Sequence, residues 1–233
     1  MCPKKPLANS FPPKSSSPAS SSLASSSPAI GSGGGSSDVR ASGLKPATVF
    51  LDRDGTINID SGYVTTPSQV ELIPGAASAL GTMARAGFHL VVVSNQSAVG
   101  RGMATAADVD ATNKQLLSML GSEDPDAPPE LILYCPHRPD DSCRCRKPDT
   151  GLVDNAGWNF DPERSWVFGD KLSDIRFGLN LGLPLAQCVL VLTGEGHKSR
   201  QAAQSELPGL RTVADIVAGS VLLKGSRGTP KAD

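Results

Sequence analysis

Short apolar runs recur along the chain and alternate with longer stretches of helical periodicity. The runs at 48–52 (TVFLD), 88–94 (FHLVVVS), 130–134 (ELILY), 166–169 (WVFG) and 188–193 (CVLVLT) are rich in β-branched and aromatic residues and predict strands. Between them, 75–86 follows Pro74, 106–120 repeats small and apolar residues at helical spacing, and 174–181 stops before Gly182 and Pro184; these predict helices. The triplets VVV and LVL show no polar alternation, the texture of parallel strands covered by helices on both faces. The expected fold is therefore α/β, a three-layer sandwich around a mainly parallel sheet, with ligands received beyond the carboxyl ends of the strands. No segment is long enough for a large cap domain, so the expected substrate is small or the pocket open.

The pattern begins only after Lys45. Residues 1–45 are dominated by Ser, Pro, Ala and Gly, as in SSSPASSSLASSSP and GSGGGSS, and offer too little apolar surface to offset the entropy of ordering. Disorder is expected there, followed by a catalytic domain over 46–220 and a polar C-terminal tail over 221–233. The early segment holds Lys4, Lys5, Lys14, Arg40 and Lys45 against Asp38. That balance resembles an organelle transit peptide, but arginines are few and no amphipathic helix is evident. A flexible extension on a cytoplasmic protein is the expectation, an organelle the alternative.

Charge narrows the classes of partner. With 22 basic and 23 acidic residues the net charge is -1, which gives no general attraction to nucleic acid or anionic membrane. Aromatic residues make up 4% of the chain, too few for a base-stacking surface. No apolar run reaches the roughly 20 residues of a membrane span. The partner expected is a small molecule, not nucleic acid or membrane; the oligomeric state is not legible, and a monomer is the default.

Candidate chemistry sits at the ends of the expected strands. In FLDRDGTIN, Asp52 and Asp54 are two apart, so on a strand they share a face and Arg53 points away, while Gly55 lets the backbone turn tightly. Two carboxylates that close repel unless a cation or a reaction needs them, and repulsion would raise the pKa of one, as suits a proton donor. Asp before Gly is also a common turn signal. Ser94 ends the strand before Asn95, Gln96 and Ser97, where a hydroxyl and backbone N–H groups can hold phosphoryl oxygens. Lys147 in CRKPD can offset charge that develops during phosphoryl transfer, and Asp170 closes a strand as Asp52 does. Asp174 reads as an N-cap of the following helix. In CPHRPDDSCRC, Cys135, His137, Cys143 and Cys145 have ligand types and spacing that suit a structural tetrahedral zinc site; a disulfide is the competing reading. Cys2 and Cys188 lack such neighbours.

Together FLDRDGTIN, SNQS after a VVV strand, RKPD and GDKLSD resemble the haloacid dehalogenase superfamily of phosphatases over about 49–193. The resemblance implies that Asp52 is the nucleophile and Asp54 the general acid and base. It implies Mg2+ held by Asp52, the backbone carbonyl of Asp54, and Asp170, a supporting role at the site for Asp174, Ser94 on the transferring phosphate, and Asn95, Gln96 and Ser97 lining the pocket. The cysteine and histidine loop leading into RKP is similar to that of the D-glycero-D-manno-heptose 1,7-bisphosphate 7-phosphatases and the related histidinol-phosphatases. NIDSGYV resembles the substrate-lining segment of the heptose group, which brings Asp60, Ser61, Gly62 and Tyr63 to the pocket. GDKLSD, with Lys171, matches the heptose motif better than the histidinol one. Arg146, Lys147 and Lys171 would then meet a sugar carrying two phosphates. The expected function is removal of the 7-phosphate of that heptose bisphosphate; histidinol-phosphatase or a broader small-sugar phosphatase is the nearest alternative, and a zinc-bearing binding module without catalysis a remote one.

Overall fold

A computed structural model describes residues 7–8 and 45–224. The expected N-terminal tail thus lies outside the described residues apart from Leu7, Ala8 and Lys45, as does the C-terminal tail beyond 224. Seven strands form one sheet: β1 (Leu7–Ala8), β2 (Thr48–Leu51), β3 (His89–Asn95), β4 (Leu131–Cys135), β5 (Trp166–Gly169), β6 (Cys188–Val191) and β7 (Arg211–Val213), in the order β1-β4-β3-β2-β5-β6-β7. The strands β2 to β7 pair in parallel, and β1 runs antiparallel to β4. Helices α1 (Ala76–Arg85), α2 (Ser97–Gly100), α3 (Ala106–Glu123), α4 (Gly151–Ala156), α5 (Leu172–Asn180), α6 (Gly196–Glu206) and α7 (Ile216–Val221) connect them.

Each of the five strands expected from the sequence forms, 166–169 with the bounds expected and the others with ends shifted by one or two residues. The run at 130–134 becomes Leu131–Cys135, so Cys135 enters the sheet. The elements not anticipated are short or weakly patterned. β7 has three residues, and α6 buries only Gly196 and Ala203, which leaves no apolar stripe to read.

Alternate strand residues serve opposite faces, and that makes three layers. Val49, Leu51, Leu90, Val92 and Phe168 pack beneath α1, α3 and α7, through Leu80, Met83, Leu116, Leu120 and Ile216. Phe50, Val91, Val93, Val167 and Leu190 face α4, α5 and α6, through Leu152, Val153, Ile175, Phe177 and Ala203. The segment after α4 is brief: Gly157 ends the helix with φ 63°, and Phe160 then meets Phe50 edge-on at 5.0 Å while Trp158 Nε1 donates to Thr48 Oγ1. Leu223 is buried, so packing continues past residue 220.

β2 lies at the centre of the sheet. The chain builds outward from it through β3 and β4, then returns to the other side for β5, β6 and β7. Such a reversal opens a crevice above the carboxyl end of the central strand. Among the described residues no inserted domain covers that crevice; its rim is formed by loops that follow β2, β3, β4 and β5.

Candidate active site

β2 ends at Leu51, and the backbone N–H of Asp52 still donates to Phe168 O of β5, so the first carboxylate leaves the sheet from a fixed point. A tight turn follows, in which Ile57 and Asn58 N–H donate to Arg53 O and Gly55 N–H donates to Asn58 O. Gly55 sits at φ +84°, and a Cβ there would stand 2.5 Å from Asp170 Oδ2. Both the turn and the approach of the Asp170 loop therefore require glycine.

Arg53 stays out of the cleft, as expected, but engages the second aspartate. Its side chain is buried and absent from the cleft wall, as a strand neighbour should be, yet its guanidinium returns to Asp54. Nε lies 3.1 Å from both Asp54 oxygens and Nη2 lies 2.9 Å from Oδ2. Asn58 Nδ2 and Gln96 Nε2 donate to the same carboxylate at 2.9 and 2.7 Å. Burial acts to raise the Asp54 carboxyl, but Arg53 and the amides of Asn58 and Gln96 hold it below the ordinary carboxylate value. The pair thus splits in the opposite sense from simple repulsion. Asp52 is the raised member: burial pushes it up to about 7, with Asp174 and Asp170 adding to the rise against Lys147.

Asp52 meets Asp170 and Asp174, whose carboxylates offer oxygens within 4.8 Å of one another. Burial pushes Asp170 up to about 6, reinforced by Asp174. One of its oxygens accepts from Glu195 N–H at 2.7 Å, whereas Oδ1, fully enclosed, has no hydrogen-bond partner. An orphaned buried carboxylate oxygen beside two more carboxylates is a donor set for a hard divalent cation. The chemistry fits Mg2+ with oxygen ligands. Asp174, read from the sequence as a cap, does cap: its Oδ2 accepts from Lys171 N–H at 2.9 Å. Its other oxygen, 2.7 Å from Lys147 Nζ, faces the cleft.

Lys147 is buried and spans the acidic group, with Nζ at 2.6 Å from Asp52 Oδ1 and bonded also to Val93 O. Burial alone would lower its pKa, but Asp174 and Asp52 more than offset that and raise it. Asn95 fixes the Lys147 backbone, accepting from its N–H at 3.0 Å and donating to its carbonyl at 3.2 Å. Ser94 Oγ accepts from Gln96 Nε2 at 2.8 Å, and Arg146 Nη1 donates to Ser97 Oγ at 2.9 Å and to His137 O at 3.1 Å. Lys171 Nζ stands 3.4 Å from Asp60 Oδ2 and 3.5 Å from Asp170 Oδ2, bridging two loops at the mouth.

These side chains share one cleft of about 200 Å³. Asp52, Asp54, Asp60, Gly62, Tyr63, Ser94, Asn95, Gln96, Ser97, Arg146, Lys147 and Lys171 all line it, joined by Val64, Ser173 and Asp174. Ser61 is exposed and does not line the cleft, and Asp170 lies beneath its floor.

Beside the cleft, Cys135 closes β4, and His137, Cys143 and Cys145 turn back toward it. Sγ of Cys135 lies 3.5 Å from Cys143 Sγ and from Cys145 Sγ, and Cys145 Sγ lies 3.3 Å from His137 Nδ1. The edges of a tetrahedron with zinc–sulfur bonds of about 2.3 Å are close to those spacings. Cys135 and Cys143 are free thiols, and no two sulfurs of the loop lie within bonding distance of one another. Of the two readings open in the sequence, the geometry supports metal ligation by the four side chains rather than a disulfide within the loop.

Comparison with known proteins bears on the same residues. A HAD-hydrolase-like family model matches residues 144–219. The D-glycero-beta-D-manno-heptose-1,7-bisphosphate 7-phosphatase of Pseudomonas putida is 34% identical over 161 residues, spanning 68% of this chain and 89% of the relative. The chain belongs to the heptose-bisphosphate phosphatase family of the haloacid dehalogenase-like hydrolases. It is accordingly a phosphatase. The same-named protein of Escherichia coli K12 is 39% identical over 158 residues, 63% of this chain and 80% of that one. A crystal structure of D,D-heptose 1,7-bisphosphate phosphatase from B. bronchiseptica, complexed with magnesium and phosphate, superposes with a TM-score of 0.67 at 30% identity, covering 77% of this chain and 98% of the other.

Within that family frame, Val64 and Ser173 line the cleft unanticipated, Asp174 sits in the acid cluster as well as capping, and the contact of Arg53 with Asp54 was not foreseen. Asp174 carried a signal, the second acid of GDKLSD, but its position after a strand favoured the cap. Arg53 carried no signal of that contact, because a strand's alternation says nothing about a side chain two residues beyond the strand's end.

Proposed function

We propose that the protein removes the 7-phosphate of D-glycero-D-manno-heptose 1,7-bisphosphate in a Mg2+-dependent reaction. The observation that carries this reading is the sharing of one small cleft by Asp52 and Asp54 with Arg146, Lys147 and Lys171, enough cationic charge for a sugar bearing two phosphates. The names of the relatives from Pseudomonas putida and Escherichia coli K12, and that of the B. bronchiseptica crystal structure, support the same substrate.

Asp52 would attack phosphorus as the bond to the C7 oxygen breaks; the negative charge of the bound phosphate would favour the protonated form of Asp54 against the pull of Arg53, and Asp54 would pass that proton to the leaving oxygen. Asp54 then takes a proton from the water that displaces Asp52 from phosphorus, and inorganic phosphate leaves. Lys147 balances negative charge on Asp52 and on the phosphoryl oxygens, and Ser94 with the start of α2 holds those oxygens. Asp52, Asp170, Asp174 and the Asp54 carbonyl are the groups that would hold Mg2+, which supplies charge neutralisation at the phosphoryl group. Arg146 and Lys171, with Asp60, Gly62 and Tyr63, are assigned to the rest of the sugar; Ser61, exposed beside them, is assigned to the loop's outer side.

Assaying purified protein on both anomers of heptose bisphosphate against histidinol phosphate tests the substrate. A higher kcat/KM for heptose bisphosphate is expected; preference for histidinol phosphate would refute the assignment. For the loop we propose structural zinc on Cys135, His137, Cys143 and Cys145, with Cys145 reduced. Protein purified under reducing conditions should then carry one equivalent of zinc by elemental analysis, and Cys143→Ser should lose it and raise KM. A metal-free, disulfide-bonded loop with full activity would overturn that. Thiolate ligands fit a cytoplasmic location; mass spectrometry of the mature N-terminus distinguishes it from import with cleavage of the Ser-rich segment. Among the described residues no helix is long and apolar enough to cross a membrane.

A further inference from the structure

We infer that Arg53 is the positioning residue of the proton shuttle: a buried guanidinium that clamps Asp54 and ties it at once to α3 and to the loop lining the substrate cleft. The inference rests on the proposed role of Asp54. Arg53 is 1% exposed, and none of its donors is directed at the cleft. Nε and Nη2 grip the Asp54 carboxylate from behind, at 2.9 to 3.1 Å. Nη1 donates to Asn113 Oδ1 of α3 at 2.8 Å, and Nη2 donates also to Val64 O at 3.2 Å.

Each partner has a reason to be there. Asn113 is itself buried, in a helix whose inner face is mainly apolar, through Val109, Leu116, Leu117 and Leu120, with Thr112 bonded back to the helix backbone. An amide among those residues is costly unless it serves a polar partner. Val64 closes the segment that carries Asp60, Gly62 and Tyr63, so the guanidinium fixes the acid and the substrate loop in one frame. Asn58 and Gln96 donate to the same carboxylate, which still lines the cleft. A planar fork can hold two carboxylate oxygens in a set orientation, which a lysine cannot do. Proton transfer to the leaving oxygen needs such fixed placement.

A positioning role predicts a loss that depends on the leaving group. An alkyl phosphate needs its departing oxygen protonated, whereas p-nitrophenolate leaves without help. The parameter to compare is kcat/KM, which covers the steps through release of the first product. With Arg53→Met we expect kcat/KM for a sugar phosphate to fall by about 10²-fold, and for p-nitrophenyl phosphate by less than about threefold. Arg53→Lys should behave like Arg53→Met. Equal losses on both substrates, or recovery with lysine, would overturn the inference and leave Arg53 a structural cation. If Arg53→Met does not fold, Asn113→Leu decides: it removes one acceptor of the clamp in an apolar setting and should lower the sugar phosphate value by about 3- to 10-fold with the aryl value unchanged. Parallel losses there would likewise refute the idea. Asp54→Asn separates the two claims. If it shows no leaving-group dependence, the role of Asp54 itself falls; if it does and neither clamp variant follows, only the clamp falls.

Discussion

Asp52 is the side chain on which the chemistry turns. It is nearly enclosed, it touches Lys147 at 2.6 Å, and Asp174 and Asp170 crowd it. Its charge is therefore costly in the absence of a second cation, which suits a group that must be held as a nucleophile only when the site is assembled. Replacing Asp52 by Asn should lower phosphatase kcat by at least about 10³-fold. The same substitution removes one of the crowded negative charges, so thermal unfolding of the metal-free variant at pH 8 should occur at the wild-type temperature or above it. Undiminished turnover would mean the nucleophile is misassigned.

Strands and turns bring the acids together. The turn at Gly55 and the loop after β6 pack against each other over Asp170, where a Cβ on either Gly55 or Gly194 would collide with its Oδ2. Gly55→Ala forces a side chain into the left-handed region, at a cost of about 1–2 kcal/mol, and pushes Asp170 from its place. The expected result is a fall in unfolding temperature and a Mg2+ concentration for half-maximal activity raised at least about tenfold, the equivalent of ~1.4 kcal/mol. Activity titrated against Mg2+ checks it; an unchanged Mg2+ requirement would show that Asp170 does not serve the ion. A parallel logic holds for the cysteine loop, which Arg146 joins to the cleft through His137 O and Ser97 Oγ.

For the folded protein considered as one body, the acid cluster couples stability to pH. Asp52 and Asp170 have folded-state values raised to about 7 and about 6. A raised carboxyl binds its proton more tightly when folded, so its favourable contribution is present at low pH and is lost as pH rises from the unfolded value, near 4, through the folded one. The metal-free protein should thus lose stability from these groups between about pH 4 and about pH 7. Mg2+ competes with those protons, and its stabilising effect should grow across the same window, reaching several degrees in unfolding temperature at saturating ion. Calorimetry at pH 5 and pH 8, with Mg2+ and with a chelator, measures the difference. An increment that is equal at both pH values would exclude carboxylate ligation by this cluster.

Hydrophobic patterning alone was enough to place β2 to β6, because strands buried on two faces must be short and uniformly apolar. It also brought Asp52, Ser94 and Asp170 to neighbouring strand ends, since parallel strands of one sheet share a carboxyl edge. The ligand types of the cysteine and histidine loop were readable for a similar reason: local spacing constrains which atoms can converge. Packing alone settled the rest. Asp174 became part of the acid cluster because α5 starts directly over Lys147, and Arg53 curled back onto Asp54 because the chain leaves the sheet before that residue. Both outcomes depend on partners 60 or more positions away in some contacts, as with Arg53 and Asn113, and one-dimensional periodicity encodes a face for each side chain but not the distant residue that will meet it.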